Sequence, residues 1–264
     1  MKRPKGWHWA EISELAELNS HSLPANTPKG HTFRYIDISC VSKGRIDWPQ
    51  DTVTFGNAPS RARRLVSKGD VIMSLVRPNL QGFAVLKENV SDAVISTGFA
   101  VLSPKENCVG SFLYQSLFGG KITIQIARLI AGSNYPALSA SDVENLVVAI
   151  PENVAEQQKI ADILGTWDEA LEKLDTLIAA KARRKLALMQ QLLTGKLRLA
   201  GFSSRWSVRS LADLLDPIIR MVPKPKGSFL AAGIRSHGKG VFLKPEFEPE
   251  DIALDELFEI GLAI

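Results

Sequence analysis

The chain has 264 residues, of which 45% are hydrophobic and 23% charged, and a formal net charge of +4. This composition is that of a globular protein and excludes a disordered or fibrous chain. No stretch approaches 18 consecutive apolar residues, which excludes a membrane span, and the charge excess is too small to indicate an anionic partner by itself.

Two features of the sequence indicate a cytoplasmic protein. The basic residues 1–5 are followed by Trp7 and His8 and not by an apolar segment, so no secretory signal is expected. Cys40 and Cys108 lack metal-ligand spacing and are too few for a disulfide framework, which is typical of a reducing compartment.

Residues 9–150 alternate short β-like runs with Gly, Pro and Asn. A helical stretch from Gly110 to Ile130 interrupts these runs, which lie at residues 33–38, 70–76, 82–86 and 98–102. The pattern predicts a mixed α/β (α+β) domain with a strongly curved sheet, which we assign to residues 1–152.

From Ala155 to Leu193 the composition changes to that of a long helix without Pro. Asn153 followed by Glu156 predicts a capping box at its start, and Gly195 predicts its end. Apolar residues recur at gaps of four and three and form a heptad seam, which needs a partner helix; its members are Ile160, Leu164, Trp167, Leu171, Leu174 and Ile178. A helix of this length would measure about 60 Å. We interpret residues 153–200 as a spacer that pairs with a second helix, the alternative being a helix packed on its own domain.

The sequence after Trp206 resembles the beginning of the chain. Trp206, residues 211–214, residues 225–227 and residues 238–242 match earlier positions at a constant offset of 196 or 197. The offset predicts a second α/β repeat at residues 201–264. Because this repeat is much shorter than the first, we expect a recognition domain that is truncated.

The sequence contains no convincing catalytic or nucleotide-binding motif. Residues 233–240 fit GxxxxGK, but Gly240 stands where a P-loop needs a hydroxyl, and an extended segment ending in Pro245 follows instead of a helix. The four His are scattered without metal-ligand spacing. We therefore expect a protein that is not an enzyme and that holds no metal.

Polar loop residues predict a surface that reads DNA. An Arg cluster precedes the turn at residues 68–70, and a second group directly follows a β run; together with two residues nearby they are Arg61, Arg63, Arg64, Arg77, Asn79, Asn134 and Tyr135. Arg and Asn have the geometry to bind base edges in the major groove, while other basic side chains bind phosphate. The alternative is that each is an ordinary solvated surface residue.

The junction of domain and helix carries the most specific motifs. They are Ile150-Pro151, then Ala155-Glu156-Gln157-Gln158-Lys159-Ile160, then Gln191-Leu192-Leu193-Thr194-Gly195-Lys196-Leu197-Arg198. This arrangement resembles the central conserved region of specificity (S) subunits of type I restriction–modification enzymes. Residues 69–72 with 76–79, residues 96–102 and residues 132–139 resemble their target recognition domains, and residues 233–240 resemble the start of another variety of such a domain. Glu152-Asn153-Val154 departs from the Pro-rich approach that is usual in this family.

The resemblance implies two target recognition domains, each reading half of a bipartite site in double-stranded DNA, held apart by antiparallel helices. It also implies methyltransferase (M) and restriction (R) subunits that dock on those helices. S-adenosylmethionine, ATP and Mg²⁺ would then belong to the partner subunits and not to this chain.

Two hypotheses of different classes follow. The first is a non-catalytic, sequence-specific DNA-recognition subunit of a type I complex. The alternative is a coiled-coil adaptor whose α/β domain binds protein and not DNA, and salt dependence of binding would separate the two. Because the seam needs a partner, we also predict an antiparallel homodimer through the long helix, which would read a palindromic site.

Overall fold

The computed structural model describes residues 4–132, 134–214, 221–236, 240–251 and 256–258. By its internal contacts the chain divides into two compact units, residues 1–184 and 185–264. Each unit is described by itself.

The first unit is a mixed α/β domain, as predicted. Its strands are β1 (Trp7–Glu11), β2 (Ala16–Leu18), β3 (Thr32–Ile36), β4 (Val41–Ser42), β5 (Arg45–Ile46), β6 (Val53–Thr54), β7 (Ala62–Arg64), β8 (Val71–Ser74), β9 (Phe83–Val85), β10 (Ala93–Ser96), β11 (Phe99–Pro104) and β12 (Val147–Pro151). Its helices are α1 (Ile12–Leu15), α2 (Gly110–Leu117), α3 (Gly120–Leu129), α4 (Ala140–Glu144) and the long α5 (Val154–Leu192), which continues into the second unit.

Two four-stranded sheets form the centre of this domain, in the orders β6-β3-β10-β7 and β2-β11-β8-β9. The successive strands β10 and β11 belong to different sheets, and only the residues Thr97 and Gly98 separate them. The chain therefore passes directly from one sheet into the other, which gives the strong curvature that the sequence predicted. β1 and β12 pair antiparallel and bring the two ends of the domain together.

The second of these sheets is buried on both faces. Met73 and Phe83 belong to a core cluster shared with the helices, while the neighbouring Ile72 and Ala84 belong to a cluster shared with β3 and β10. Side chains alternate between the two faces of a strand, so a strand covered on both sides must be apolar throughout. This explains the continuous apolar run at Val71–Met73.

The long helix begins as predicted, but the Glu156 side chain of the predicted capping box binds elsewhere. The Asn153 side chain accepts from the Ala155 backbone N–H at 2.9 Å. The carboxylate of Glu156, instead of bonding back to Asn153, accepts from the Trp7 indole N–H at 3.1 Å. The helix ends at Leu192, and Gly195 follows with a φ of +71°, a conformation that glycine adopts without steric penalty.

The described residues of the second unit include two antiparallel strand pairs beyond the end of α5. They are formed by β13 (Met221–Pro223) with β16 (Glu256–Phe258), and by β14 (Phe229–Ile234) with β15 (Val241–Phe247). The GxxxxGK-like segment connects β14 to β15, so an extended strand follows it, as the sequence predicted. Residues 237–239 of that segment, and residues 215–220, 252–255 and 259–264 of the predicted repeat, lie outside the described residues.

Candidate nucleic-acid interface

The short connection between β10 and β11 is the centre of the candidate interface. On one side, the Thr97 N–H donates to the Arg61 carbonyl oxygen at 2.8 Å. On the other side, the Leu75 N–H donates to the Gly98 carbonyl oxygen at 2.8 Å. The segments that carry Arg61 and Arg77 therefore lie on the two sides of the same turn.

A second set of backbone contacts adds the segment of Asn134 and Tyr135. The Arg77 N–H donates to the Pro136 carbonyl oxygen at 2.8 Å, and the Leu138 N–H donates to the Leu75 carbonyl oxygen, also at 2.8 Å. Asn134 and Tyr135 directly precede this contact, and the Tyr135 side chain is 84% exposed. Positions predicted separately from three stretches of sequence are thus neighbours in the fold.

We call this set the edge row, defined as Arg61, Thr97, Arg77, Asn79, Asn134 and Tyr135. Its two Arg, its two Asn and its Tyr are exposed, and Thr97 is half-buried. These side chains supply guanidinium, amide, hydroxyl and aromatic groups on loops around the connection between β10 and β11, which is the chemistry that phosphate and base recognition requires. Sequence reasoning missed Thr97, which directly precedes the β run predicted at residues 98–102.

Arg77 and Asn79 belong to a turn with unusual backbone conformation. Residues Pro78–Leu80 form one turn of 3₁₀ helix, flanked by Arg77 and Gln81, both of which have positive φ values (48° and 57°). Pro78 is buried, and the Ser74 hydroxyl donates to the Val76 carbonyl oxygen at 2.8 Å just before the turn. The backbone that presents Arg77 and Asn79 is therefore held in one conformation.

Arg63 and Arg64 are engaged within the domain. The Arg63 guanidinium lies 4.8 Å from the centre of the Phe55 ring and donates to the Ala62 carbonyl oxygen at 2.9 Å. Arg64 is half-buried, donates to the Ser22 hydroxyl at 3.5 Å, and has a lowered pKa because burial disfavours its charged form. Successive strand residues point to opposite faces. The basic cluster of the sequence is therefore divided, and only Arg61 is fully exposed.

The start of α5 is joined to the domain by a buried side chain, that of Gln157, which is 1% exposed. Its amide nitrogen donates to the carbonyl oxygens of Asn107, at 3.0 Å, and Pro151, at 2.9 Å. Its amide oxygen accepts from the Val109 N–H at 2.9 Å. A polar group this deeply buried is tolerated because it is hydrogen-bonded. The motif of residues 155–160 thus contains the residue that links the helix to the domain.

Beyond this joint, α5 is exposed. Asp168 accepts from the Gln115 side chain at 2.6 Å, and Asp175 lies 3.4 Å from the Arg45 guanidinium, but every residue from Glu169 to Gln191 is exposed. Of the predicted seam, Ile160 packs partly against the domain core. The other five members are exposed in the single chain, Trp167 by 68% and Leu171 by 59%, and they include Leu164, Leu174 and Ile178.

Neither a metal centre nor a membrane helix is found in the described part of the chain. Among those residues no three or more His, Cys, Asp or Glu side chains are grouped so that they could hold a metal ion. None of the helices there combines the length and the apolar character that crossing a membrane requires.

Comparison with known proteins gives a consistent family. The chain is 30% identical over 118 residues to the specificity subunit of the type I restriction enzyme HindI of Haemophilus influenzae, covering 43% of this chain and 25% of that protein. It is 24% identical over 214 residues to the MjaVIII specificity subunit of Methanocaldococcus jannaschii, covering 74% of this chain and 47% of that protein. The chain thus spans less than half the length of these relatives.

Solved structures resemble it over most of its length. The HsdS subunit of Thermoanaerobacter tengcongensis is 25% identical with a TM-score of 0.58, covering 90% of this chain and 59% of that one. A chain from a structural study of assembly and conformational transition in the type I R-M system is also 25% identical, with a TM-score of 0.60, covering 90% of this chain and 58% of that one. Residues 4–181 match the family model of the type I restriction modification DNA specificity domain. Because this match covers about two thirds of the sequence, the chain belongs to that family of specificity proteins.

Proposed function

We propose that this chain is the non-catalytic subunit that recognises a specific sequence in double-stranded DNA for a type I restriction–modification complex. The observation that carries the proposal is the edge row, in which Arg61, Arg77 and Tyr135 come from separate parts of the sequence to one edge of the domain. Exposed side chains on rigid loops are suited to reading base edges, and Arg is the residue that most often reads guanine.

The catalytic steps would be carried out by partner subunits. Methyltransferase (M) and restriction (R) subunits would bring S-adenosylmethionine, ATP and Mg²⁺, and this chain would hold no cofactor of its own. The family supports this division, because its members supply specificity to an enzyme complex. The complex would act on DNA in the cytoplasm.

The exposed seam of α5 supports a further element of this proposal, a homodimer in which two copies of the helix pair antiparallel. Residues 154–175 contain six acidic and two basic side chains, whereas residues 176–192 contain four basic and no acidic ones. Antiparallel pairing places the acidic half of each helix beside the basic half of the other, while parallel pairing places like charges together. Such a dimer would read a palindromic site.

Long-read sequencing of the host genome tests the function directly. A methylated motif should be present in the wild type and absent after deletion of this gene, and Arg77→Ala should weaken or alter it. Loss of the motif on deletion, with restoration by the intact gene, would support the proposal. An unchanged methylation pattern after deletion would contradict it.

Salt dependence of binding tests the alternative of a protein-binding adaptor. Phosphate contacts make DNA affinity fall steeply as salt concentration rises. We expect the complex of this chain with its methyltransferase partner to show that decrease on the methylated motif. Equal, weak binding to all DNA at every salt concentration would favour the adaptor.

A further inference from the structure

Leu80 is an exposed apolar residue on the same turn as Arg77 and Asn79. Its side chain is 60% exposed, and its N–H donates to the Arg77 carbonyl oxygen at 2.9 Å. The residues on both sides of the turn, Arg77 and Gln81, adopt left-handed conformations, which few residues other than glycine adopt. Two residues that flank the turn therefore have unfavourable backbone conformations, and the leucine between them is exposed to solvent.

The direction of Leu80 is determined by the backbone around it. The Gln81 N–H donates to the Pro78 carbonyl oxygen at 3.0 Å, and the Lys43 N–H donates to the Gln81 carbonyl oxygen at 3.1 Å. Pro78, the first residue of the turn, is buried. Unfavourable conformations persist only where the surrounding structure enforces them, and they are concentrated at binding sites. An exposed apolar side chain held in this way is suited to contact an apolar group of a ligand.

A small cavity of ≈ 80 Å³ lies beside the turn. It is lined by Asn79 and Gln81 of the turn and by Phe83, Leu117 and Ile126, and Leu80 does not line it. Leu80 points instead into solvent, on the turn that also exposes Arg77 and Asn79. Leu80 is thus exposed although apolar side chains lie beside the turn.

We propose that Leu80 is a specificity-determining residue that contacts the C5-methyl group of a thymine in the major groove. This inference rests on the proposed function of the edge row. A leucine side chain can neither bind phosphate nor form hydrogen bonds with a base. The thymine methyl is the apolar feature of the major groove, and apolar side chains distinguish thymine by contacting it. Arg77 and Asn79 would bind polar groups beside it.

The test combines Leu80→Ala with DNA in which single thymines are replaced by deoxyuridine, which lacks only the methyl group. The protein is the full chain with its methyltransferase partner, and the duplex carries the motif that is methylated in the host. At one thymine position, replacement by deoxyuridine should weaken binding of the duplex to the wild-type protein about fourfold, the value expected for one buried methyl group. Leu80→Ala should bind the thymine duplex at least that much more weakly and show no preference between the two duplexes.

Ile124→Ala is the matched control, because Ile124 is a similarly exposed apolar residue on α3, a helix that carries no member of the edge row. It should keep the full preference for thymine. If no thymine position responds in the wild type, or if Leu80→Ala retains the preference, the assignment of Leu80 is wrong while the proposed function stands. If the wild-type complex binds the motif no better than an unrelated duplex, the proposed function is wrong and the assignment with it.

Discussion

The side-chain amide of Gln157 donates to the backbone carbonyl oxygen of Pro151 at 2.9 Å, across the point where the last strand of the domain becomes the long helix. The same amide group also bonds Asn107 and Val109, which precede α2. One side chain thus ties the first turn of α5 to both the strand before it and the segment before α2. The direction in which the helix leaves the domain depends on this joint.

Replacement of Gln157 by Leu should strongly destabilise the first unit. Leucine has a similar size but leaves the Val109 N–H and two carbonyl oxygens without partners, and each buried polar group left unsatisfied costs about 1–3 kcal/mol. We expect the free energy of unfolding, measured with urea on the full chain, to fall by at least about 2 kcal/mol. Gln158→Leu is the control, because Gln158 is exposed and contacts only Asp162 on the same helix. Equal losses in the free energy of unfolding for the two substitutions would show that the hydrogen bonds of Gln157 do not stabilise the domain.

Replacement of Leu171 and Leu174 by Asp should prevent association through α5. Both side chains are exposed in the single chain, and burial of one leucine contributes roughly 1.5–3 kcal/mol. Multi-angle light scattering at micromolar concentration should find a dimer for the wild type and a monomer for the double variant. The control is Lys173→Ala with Thr176→Ala, which changes the same turns outside the predicted seam. A wild type that is already monomeric would contradict the predicted homodimer.

Arg77 and Arg63 should differ in their contribution to DNA binding. Arg77→Ala removes an exposed guanidinium and should cost about 1–3 kcal/mol on the methylated motif if it binds a base, with a smaller effect on unrelated DNA. Arg63 is stacked over Phe55 and bonded to Ala62, so Arg63→Ala should change binding less and reduce stability more. Equilibrium binding on both duplexes and urea unfolding separate the effects. Uniform weakening by Arg77→Ala on all DNA would assign it to phosphate, and no change on any DNA would remove it from the interface.

Tyr114 should make the domain less stable at high pH. Its pKa is raised to about 12, mainly because burial disfavours the phenolate and in addition because the Asp168 carboxylate repels it. A raised pKa in the folded state means that this stabilisation is complete below the unfolded value of about 10 and is lost as the pH rises toward 12.

The comparison with Tyr114→Phe isolates this effect, because phenylalanine keeps the ring and removes the ionisable group. The free energy of unfolding should fall more steeply between pH 10 and pH 12 in the wild type than in the variant. Burial also raises the pKa of Cys108 to about 12. Because Cys108 titrates in both proteins, its effect on the free energy of unfolding cancels in the comparison. Parallel curves for the two proteins would show that Tyr114 ionises without affecting the fold.

The elements that depend on local pattern could be predicted from the sequence. The long helix, its start near Asn153 and its end before Gly195 follow from composition, capping and glycine conformation, each of which acts over a few residues. The heptad seam follows from periodicity, and the exposure of Leu171 and Ile178 agrees with a stripe that stays uncovered in the part of the chain that the structure describes. The family motifs could be recognised from the sequence for the same reason, because each motif is a short continuous segment.

The roles of individual polar side chains depended on contacts between distant residues. Glu156 lies at the position of a capping box, yet it binds Trp7, which is 149 positions away. Gln157 and Gln158 are adjacent and identical in type, yet one is buried with three partners and the other is exposed. The periodicity of the sequence predicts which face of a helix or strand carries each residue. Only tertiary packing determines which other residues contact that face.

The sequence by itself therefore determined the α/β domain, the long helix and the family, because hydrophobic pattern and local hydrogen bonding specify them within short segments. The tertiary structure alone decided which predicted residues share one edge. It brought Arg61, Arg77 and Tyr135 together around the turn between two strands and held Arg63 and Arg64 in contacts within the domain. The physical reason is that strand pairing joins residues far apart in the chain, and the register of that pairing is set by the whole core.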